Sequence, residues 1–305
     1  MEFPFVTLDV FTATRYRGNP LAVVTIPSSV PPPSQAQKQV IAREFNLSET
    51  VFVHDVPDHE VNKERVIDIF VTSAELPFAG HPTIGTAVFL RPEGVNTLIT
   101  KAGPIPLIET APGHIQAAIP HNVRQHHKTI ADLPAPNPGQ LNSDLAIRRL
   151  ELDAPLFSIV KGMTFALINL PDLDQLANVT TSVTPFRTEQ LLDDGWQEGH
   201  LSKYYFVHTG QRNEAGKTVF SIRSRMMEST MEDPATGSAA CALSSYLTLR
   251  QPDLHNQTFR FEIDQGVEMG RESNIVVEVA LLDSKIDTVK LSGTATQIMR
   301  GYVTI

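Results

Sequence analysis

The segment Phe52-Val53-His54 recurs 154 residues later as Phe206-Val207-His208. Two further pairs of segments keep the same ungapped offset: residues 66–72 with 220–226, and residues 79–82 with 233–236. Self-similarity at one fixed offset indicates an internal duplication. The repeat therefore predicts two similar domains, and duplicated halves of this size favour an active site in the cleft between them.

Hydrophobic periodicity and turn residues predict comparable elements in the two halves. In the first half we expect a helix capped by Ser34 and a second helix over residues 79–90. In the second half we expect a helix capped by Ser143 and a helix that begins at Ala235. An added helix is predicted over residues 184–194.

Composition excludes several classes of protein. The net charge of −9 is unfavourable for a partner with a phosphate backbone, so we expect no nucleic acid partner. Cys241 is the single cysteine, so no disulfide forms within the chain, which is typical of a reducing compartment and predicts a cytoplasmic location. No apolar stretch approaches the roughly 18 residues that span a bilayer, so we expect no membrane association.

Both small-residue turns, at Gly80 and at Gly237, precede predicted helices. Small residues let the backbone approach a ligand closely, and a helix N-terminus presents unpaired N–H groups and a positive dipole end. Two such termini facing one cleft would bind a carboxylate. The competing interpretation of each turn is an ordinary helix start.

Four side chains are candidates for chemistry. Glu49 begins a predicted strand, where burial would raise the pKa of its carboxyl and suit it to acid/base work; the alternative is a solvated glutamate. His81 follows Gly80 at a helix N-terminus, which favours a neutral imidazole or a structural cap. Asp233 is a ligand-positioning carboxylate or a helix N-cap, and Ser238 is a donor to substrate or a cap.

Other features carry no prediction of a cofactor or a metal. His121, His126 and His127 lack partners at zinc-like spacing and are interpreted as a solvated linker. The sequence contains no GxGxxG after a strand and no P-loop. Ser238 lies in Thr-Gly-Ser-Ala, which is not the elbow of a serine hydrolase.

The chain resembles the PhzF-like (phenazine biosynthesis) family. The matching motifs are Asp9-Val10-Phe11-Thr12 with residues 18–23, Asn46-Leu47-Ser48-Glu49-Thr50, residues 75–83, residues 232–240, and Gln265-Gly266 with Met269-Gly270-Arg271. They occur in the family's order and span nearly the whole chain.

The resemblance implies an α+β, diaminopimelate-epimerase-like fold with two pseudo-symmetric domains, each a curled, mostly antiparallel sheet around a central helix. The expected boundaries are 1–124, joined by the final strand at about 298–305, and 125–297. In the epimerases a cysteine from each half moves the proton. This chain has Ala79 and Asp233 at the positions related by the offset of 154, which excludes a two-thiol mechanism.

In PhzF-like enzymes the glutamate that matches Glu49 shuttles a proton. The resemblance implies Glu49, His81 and Asp233 as catalytic residues and Asn19, Gly80, Gly237 and Ser238 as substrate-binding residues. It also implies a homodimer and no cofactor.

We therefore expect a cofactor-independent isomerase that moves a proton on a small carboxylate-bearing metabolite, in secondary metabolism. The alternatives are a lyase or cyclase that uses the same Glu49, and a non-catalytic ligand-binding or scaffold protein.

Overall fold

The computed structural model describes residues 1–58, 60–251 and 256–305. The chain forms two compact units: unit 1 comprises Met1–Ile119 and Leu291–Ile305, and unit 2 comprises Pro120–Lys290. The chain leaves unit 1 after Ile119 and returns to it at Leu291, whereas the sequence predicted these boundaries at residues 124 and 298.

Unit 1 contains eight strands of the N-terminal part and two α-helices. In chain order these are β1 (Glu2–Val10), β2 (Asn19–Ile26), α1 (Gln35–Phe45), β3 (Glu49–His54), β4 (Glu64–Phe70), β5 (Glu75–Leu76), α2 (Gly80–Leu90) with a 3-10 turn (Arg91–Glu93), β6 (Thr97–Thr100), β7 (Gly103–Ala111) and β8 (His114–Ala118).

Unit 2 has the same kind of composition. Its elements are β9 (Arg124–Gln125), two 3-10 turns (Ile130–Asp132 and Pro138–Gln140), α3 (Leu145–Leu152), β10 (Leu156–Val160), β11 (Met163–Asn169), α4 (Leu173–Ala177), α5 (Thr188–Leu191), β12 (His200–Glu214), β13 (Lys217–Glu228), β14 (Met231–Asp233), α6 (Gly237–Thr248), β15 (Thr258–Gln265) and β16 (Ser273–Leu282). β17 (Lys285–Gly293) runs across the boundary in the sequence, and β18 (Ala295–Thr304) pairs antiparallel with β1 in unit 1.

The two units repeat one succession of strand pairings. In unit 1, β1–β2 is antiparallel, β2–β3 parallel, β3–β4 and β4–β5 antiparallel, β4–β6 parallel and β6–β7 antiparallel. In unit 2, the strands from β10 to β16 follow the same order with the same senses. The predicted internal duplication is therefore confirmed, and each sheet is mostly antiparallel.

The offset between the repeats does not stay at 154. Thr50 pairs with Phe70 and Tyr204 pairs with Met226, which gives an offset of 156 for the second strand of the hairpin. The helices α2 and α6 begin at Gly80 and Gly237, an offset of 157. The second hairpin is two residues longer and the turn after it one residue longer, so an ungapped comparison drifts out of register.

This drift corrects one sequence-based equivalence. The residue before Gly80 is Ala79, the N-cap of α2, and the residue before Gly237 is Thr236, the N-cap of α6. The counterpart of Ala79 is therefore Thr236 and not Asp233. Neither residue is a cysteine, so the argument against a two-thiol mechanism stands on the corrected pair.

Each sheet surrounds a central helix. α2 is buried along most of its length and packs on β1, β2, β3, β8 and β18. Gly85 is required there, because a Cβ on it would lie 2.6 Å from the side chains of Leu21 and Val10. α6 is equally buried and packs on β10, β11, β15 and β16. The predicted α+β, diaminopimelate-epimerase-like architecture is confirmed.

The helix predictions had mixed outcomes. Ser34 caps α1, and its hydroxyl and the side chain of Gln37 form a reciprocal capping box, as predicted. The prediction that Ser143 caps α3 was wrong. The N-cap is the neighbouring Asp144, whose side chain accepts hydrogen bonds from two backbone N–H groups in the first turn of the helix.

Two further helix predictions need correction. Over residues 184–194 only Thr188–Leu191 is α-helical: Pro185 disfavours the helical conformation at Thr184, and the extended backbone of Leu192 ends the helix. The last helix begins at Gly237 and not at Ala235, since Thr236 still has an extended backbone.

Candidate active site

The first candidate group lies in unit 1, where strand starts meet the start of a helix. β2 and β3 are parallel neighbours, with Leu21 opposite Glu49, so Asn19 and Glu49 both lie at strand starts on the same edge. His81 is in the first turn of α2. The parallel pairing and the buried helix therefore bring a carboxylate and an imidazole together from positions 32 residues apart.

Glu49 and His81 form a close pair. His81 Nδ1 lies 2.9 Å from Glu49 Oε2, and the two side chains are 4% and 17% exposed for His81 and Glu49 respectively. A carboxylate accepts hydrogen bonds, so Nδ1 carries the proton and donates. The other ring nitrogen, Nε2, is buried and has no partner among the described residues. A buried ring nitrogen without a partner is costly, so we expect a water molecule or a ligand to supply the missing hydrogen bond.

The pKa of Glu49 differs from the expectation. Burial raises the pKa of this carboxyl, but the hydrogen bond from His81, its electrostatic attraction and a hydrogen bond from Ser48 outweigh burial and lower the pKa below its ordinary value. The sequence-based expectation of a raised pKa was wrong, because it considered burial without the partner imidazole. Glu49 therefore rests as a carboxylate at neutral pH, in the form that accepts a proton.

Asn19 and Ser48 support this pair. The Ser48 hydroxyl lies 3.3 Å from Asn19 Oδ1, and Asn19 is buried. The same hydroxyl is within hydrogen-bonding reach of Glu49, and its single proton is donated to one of the two acceptors at a time. Sequence reasoning named Asn19 but missed Ser48, although Ser48 directly precedes Glu49 in the quoted motif.

Gly80 opens α2 next to His81. No side chain among the described residues caps the start of this helix, and the Thr83 hydroxyl turns back to the Ala79 carbonyl at 2.7 Å. The backbone N–H groups of the first turn therefore keep the electrostatic character expected for an anion site.

The second candidate group lies in unit 2, where β14 leads into α6. Asp233 ends β14 and is buried, and the Thr236 hydroxyl donates to Asp233 Oδ2 at 2.5 Å. The N-cap of α6 is Thr236, so the interpretation of Asp233 as the N-cap is not supported. Gly237 and Ser238 follow as the first two residues of the helix.

Gln265 was missed as a site residue. Its amide bonds the backbone and side chain of Thr236 and the carbonyl of Asp233. The available signal was the Gln265-Gly266 motif, since a glycine with a positive φ marks a close approach of two backbone segments. A Cβ on Gly266, whose φ is +74°, would lie 2.6 Å from the Pro234 carbonyl oxygen.

A serine–histidine–aspartate grouping elsewhere in unit 2 has the wrong geometry for a catalytic triad. His126 Nε2 lies 2.8 Å from Ser158 Oγ, but the backbone N–H of Asp193 donates to His126 Nδ1. Nε2 therefore carries the proton and cannot activate the serine. Burial lowers the pKa of His126, which is fully enclosed. The sequence-based interpretation of His126 as a solvated linker residue was wrong, because its ring packs inside the unit.

The described parts of the chain hold neither a cluster of metal-binding side chains nor a membrane-spanning helix. Residues 1–58, 60–251 and 256–305 contain no group of three or more histidine, cysteine, aspartate and glutamate side chains placed to hold a metal ion. Within the same residues no helix is long and apolar enough to cross a bilayer. Cys241 is buried in α6, and burial raises the pKa of its thiol well above the ordinary value, so it is unsuited to nucleophilic chemistry.

Comparisons with known proteins agree over the full chain. A family model for phenazine biosynthesis-like proteins matches residues 8–301. The trans-2,3-dihydro-3-hydroxyanthranilate isomerase of Pseudomonas fluorescens is 30% identical over 99% of this chain and 99% of its own length. An uncharacterized isomerase of Mesorhizobium japonicum is 29% identical over 99% of this chain and 98% of its own.

Solved structures support the same fold. The PhzF-family phenazine biosynthesis protein of Bacillus anthracis has a TM-score of 0.75 at 21% identity and covers 100% of both chains. This chain therefore belongs to the phenazine biosynthesis-like (PhzF-like) protein family and is an isomerase with the diaminopimelate-epimerase-like fold.

Proposed function

We propose that the chain is a cofactor-independent isomerase that moves a proton on a small carboxylate-bearing metabolite, with Glu49 as the acid/base. The observation that carries this proposal is the Glu49–His81 pair, in which a carboxylate held in its basic form lies against a buried imidazole with one unpartnered nitrogen.

The proposed reaction begins with the Glu49 carboxylate. It takes a proton from a carbon of the substrate and, as the neutral acid, exchanges that proton with solvent and delivers a proton to a different carbon. Because one group both removes and returns a proton, the overall charge is unchanged and no oxidant, reductant or metal is consumed.

His81 has two roles in this proposal. Its Nδ1–H holds Glu49 Oε2, which orients the carboxylate and favours the ionised form. Its Nε2, a lone-pair acceptor in this tautomer, receives a hydrogen bond from a donor group of the substrate.

The backbone N–H groups at a helix start are assigned to binding of the substrate carboxylate. Gly80 opens α2 and Gly237 opens α6, and both are buried glycines at N-termini. Each N-terminus contributes about 0.3–1 kcal/mol toward holding a negative charge. We carry Asp233 as a catalytic residue and Asn19 and Ser238 as substrate-binding residues by their match to the family motifs.

Three further assignments belong to the same proposal. A relative that shares 30% of its residues is named for isomerising a dihydro-hydroxyanthranilate, which supports a carboxylate substrate and a place in secondary metabolism. The family resemblance supports a homodimer, and the single cysteine supports a cytoplasmic location.

The deciding experiment follows the proton. The enzyme is incubated in deuterium oxide with trans-2,3-dihydro-3-hydroxyanthranilate and with a panel of other small cyclic carboxylates, and the products are read by mass spectrometry and NMR. An isomerase yields a product of the same composition with deuterium at carbon, whereas a lyase yields one that has lost a leaving group. Deuterium-bearing isomer that forms equally fast with Glu49→Gln would refute the assignment of Glu49.

A further inference from the structure

We propose that Gln265 is a positioning residue for Asp233 at the start of α6 in unit 2. Its buried amide holds the start of α6 in place and sets the direction in which the Thr236 hydroxyl donates to Asp233. This inference deepens the proposed function and rests on it for the role of Asp233, while the geometry of the start of α6 can be tested separately.

The amide of Gln265 uses all of its hydrogen-bonding capacity. Oε1 accepts from the backbone N–H of Thr236 at 3.2 Å and from the hydroxyl of Tyr204 at 3.1 Å. Nε2 donates to the backbone carbonyl of Asp233 at 2.8 Å and to Thr236 Oγ1 at 3.0 Å. A primary amide has two donor hydrogens and two acceptor lone pairs, so this one is fully satisfied.

The partners determine which way the amide faces. The N–H of Thr236 can only donate and the carbonyl of Asp233 can only accept, so exchanging Oε1 and Nε2 would place like groups against each other twice. The orientation of the Gln265 side chain is therefore a consequence of the backbone on both sides of Pro234.

This orientation is transmitted to Asp233 through a hydroxyl. Thr236 Oγ1 accepts from Gln265 Nε2, so the hydroxyl proton of Thr236 is directed to Asp233 Oδ2, 2.5 Å away. A hydrogen bond donated to a carboxylate favours its ionised form and limits its rotation. Gln265 is fully enclosed, so its influence on a ligand passes through Thr236 and Asp233.

The next residue explains how Gln265 reaches the turn. Gly266 has φ +74°, and a side chain there would lie 2.6 Å from the Pro234 carbonyl oxygen and 2.7 Å from that of Arg271. Only a glycine lets the end of β15 approach the turn before α6 this closely. The two residues therefore act together: Gly266 permits the close approach, and Gln265 hydrogen-bonds the end of β15 to the turn before α6.

The test compares Gln265→Leu and Gln265→Glu with a control that removes a buried polar group elsewhere in unit 2. Tyr205→Phe is the control. Tyr204 and Tyr205 are adjacent on β12 and both fully buried, but their side chains point to opposite faces, and the Tyr205 hydroxyl donates to Glu151. The control removes a buried hydrogen bond of unit 2 that does not involve the start of α6.

The first measurement is amide hydrogen exchange over residues 236–240 by mass spectrometry, which needs no substrate. We expect exchange there to become at least about tenfold faster in Gln265→Leu, because this variant removes all four hydrogen bonds of the amide, and to stay unchanged in Tyr205→Phe. Unchanged exchange in Gln265→Leu would overturn the proposal whatever the enzyme's activity.

The second measurement is kcat and KM at temperatures equally far below each variant's Tm. We expect Gln265→Leu to lose about tenfold in kcat/KM beyond the loss in Tyr205→Phe. Gln265→Glu should recover part of its activity as pH falls, because the protonated carboxyl regains a donor for the Asp233 carbonyl. Equal losses of kcat/KM in Gln265→Leu and Tyr205→Phe, with no recovery of activity at lower pH in Gln265→Glu, would show that Gln265 has only a structural role.

A failure of the proposed function is distinguishable from a failure of this inference. If wild type and Glu49→Gln turn over every tested carboxylate equally, the acid/base assignment fails. Hydrogen exchange would still show whether Gln265 holds the start of α6.

Discussion

The starts of α2 and α6 occupy equivalent places in the two repeats, yet their polar groups are arranged in opposite ways. At α2, His81 keeps one buried nitrogen without a partner among the described residues, beside the Glu49 carboxylate. At α6, the amide of Gln265 is satisfied on every side by Thr236, Asp233 and Tyr204.

The same backbone arrangement therefore serves different purposes in the two repeats. A buried polar atom without a partner costs about 1–3 kcal/mol, so the α2 side keeps an unsatisfied group that a ligand can complete. A fully satisfied network rigidifies its surroundings, so the α6 side is suited to holding groups in fixed positions. We infer that unit 1 carries the reactive pair and unit 2 a rigid binding element.

Removing the carboxylate of Glu49 should have the largest effect. Glu49→Gln retains the size and a hydrogen-bond acceptor for His81 but cannot take a proton, so we expect kcat/KM to fall by at least about 10²-fold with Tm nearly unchanged. Steady-state kinetics on the substrate found by deuterium incorporation checks this. A variant that keeps wild-type turnover would show that the α2 side is not the reactive one.

Changing His81 should alter the pH dependence of kcat/KM. The pKa of Glu49 lies below its ordinary value because His81 offsets burial, so the acid limb of kcat/KM should also lie below that value. In His81→Leu only the Ser48 hydrogen bond still opposes burial, so the pKa of Glu49 rises and the limb should move to higher pH, with about a tenfold loss at neutral pH. His81→Gln, which keeps a hydrogen-bond donor but loses the imidazole, should lie between the two. An acid limb at the same pH in all three proteins would contradict the coupling.

Crowding the start of α6 should affect stability. Gly266→Ala introduces a Cβ against two backbone carbonyls, whereas Gly270, with the same φ of +74°, has open space around it. Both alanines carry the strain of a positive φ, so we expect Gly266→Ala to cost about 1–3 kcal/mol more than Gly270→Ala. Urea unfolding of both variants measures the difference, and equal midpoints would show that the close contact is relieved without cost.

Removing any bound metal ion or nucleotide should have the smallest effect on activity. After exhaustive chelation and dialysis we expect full activity, because the proposed proton transfer uses only side chains of the protein, with Glu49 as the acid/base. Activity is assayed before and after treatment, with a metal and nucleotide add-back series. Activity that returns only on add-back would mean that the α2 pair does not act by itself.

Local patterns predicted much of the fold. Ser34 with Gln37 is a capping signal that needs no tertiary information, and it was right. The recurrence of Phe52-Val53-His54 revealed the duplication because both copies lie on equivalent strands. The helix predicted over residues 184–194 was too long because Pro185 disfavours a helix start, and the predicted cap Ser143 was wrong because Asp144 caps α3. A propensity summed over a window does not weigh single residues that break or start a helix.

The family, the repeated strand–helix order and the residue types available for acid/base chemistry can be read from the amino-acid sequence, since they follow from motif order and from side-chain chemistry. The correspondence of Ala79 with Thr236, and not with Asp233, required the folded structure, because insertions between strands change the offset without leaving a mark in an ungapped comparison. The folded structure also decided that His81 lowers the pKa of Glu49, because a pKa depends on partners that the chain brings together from distant positions.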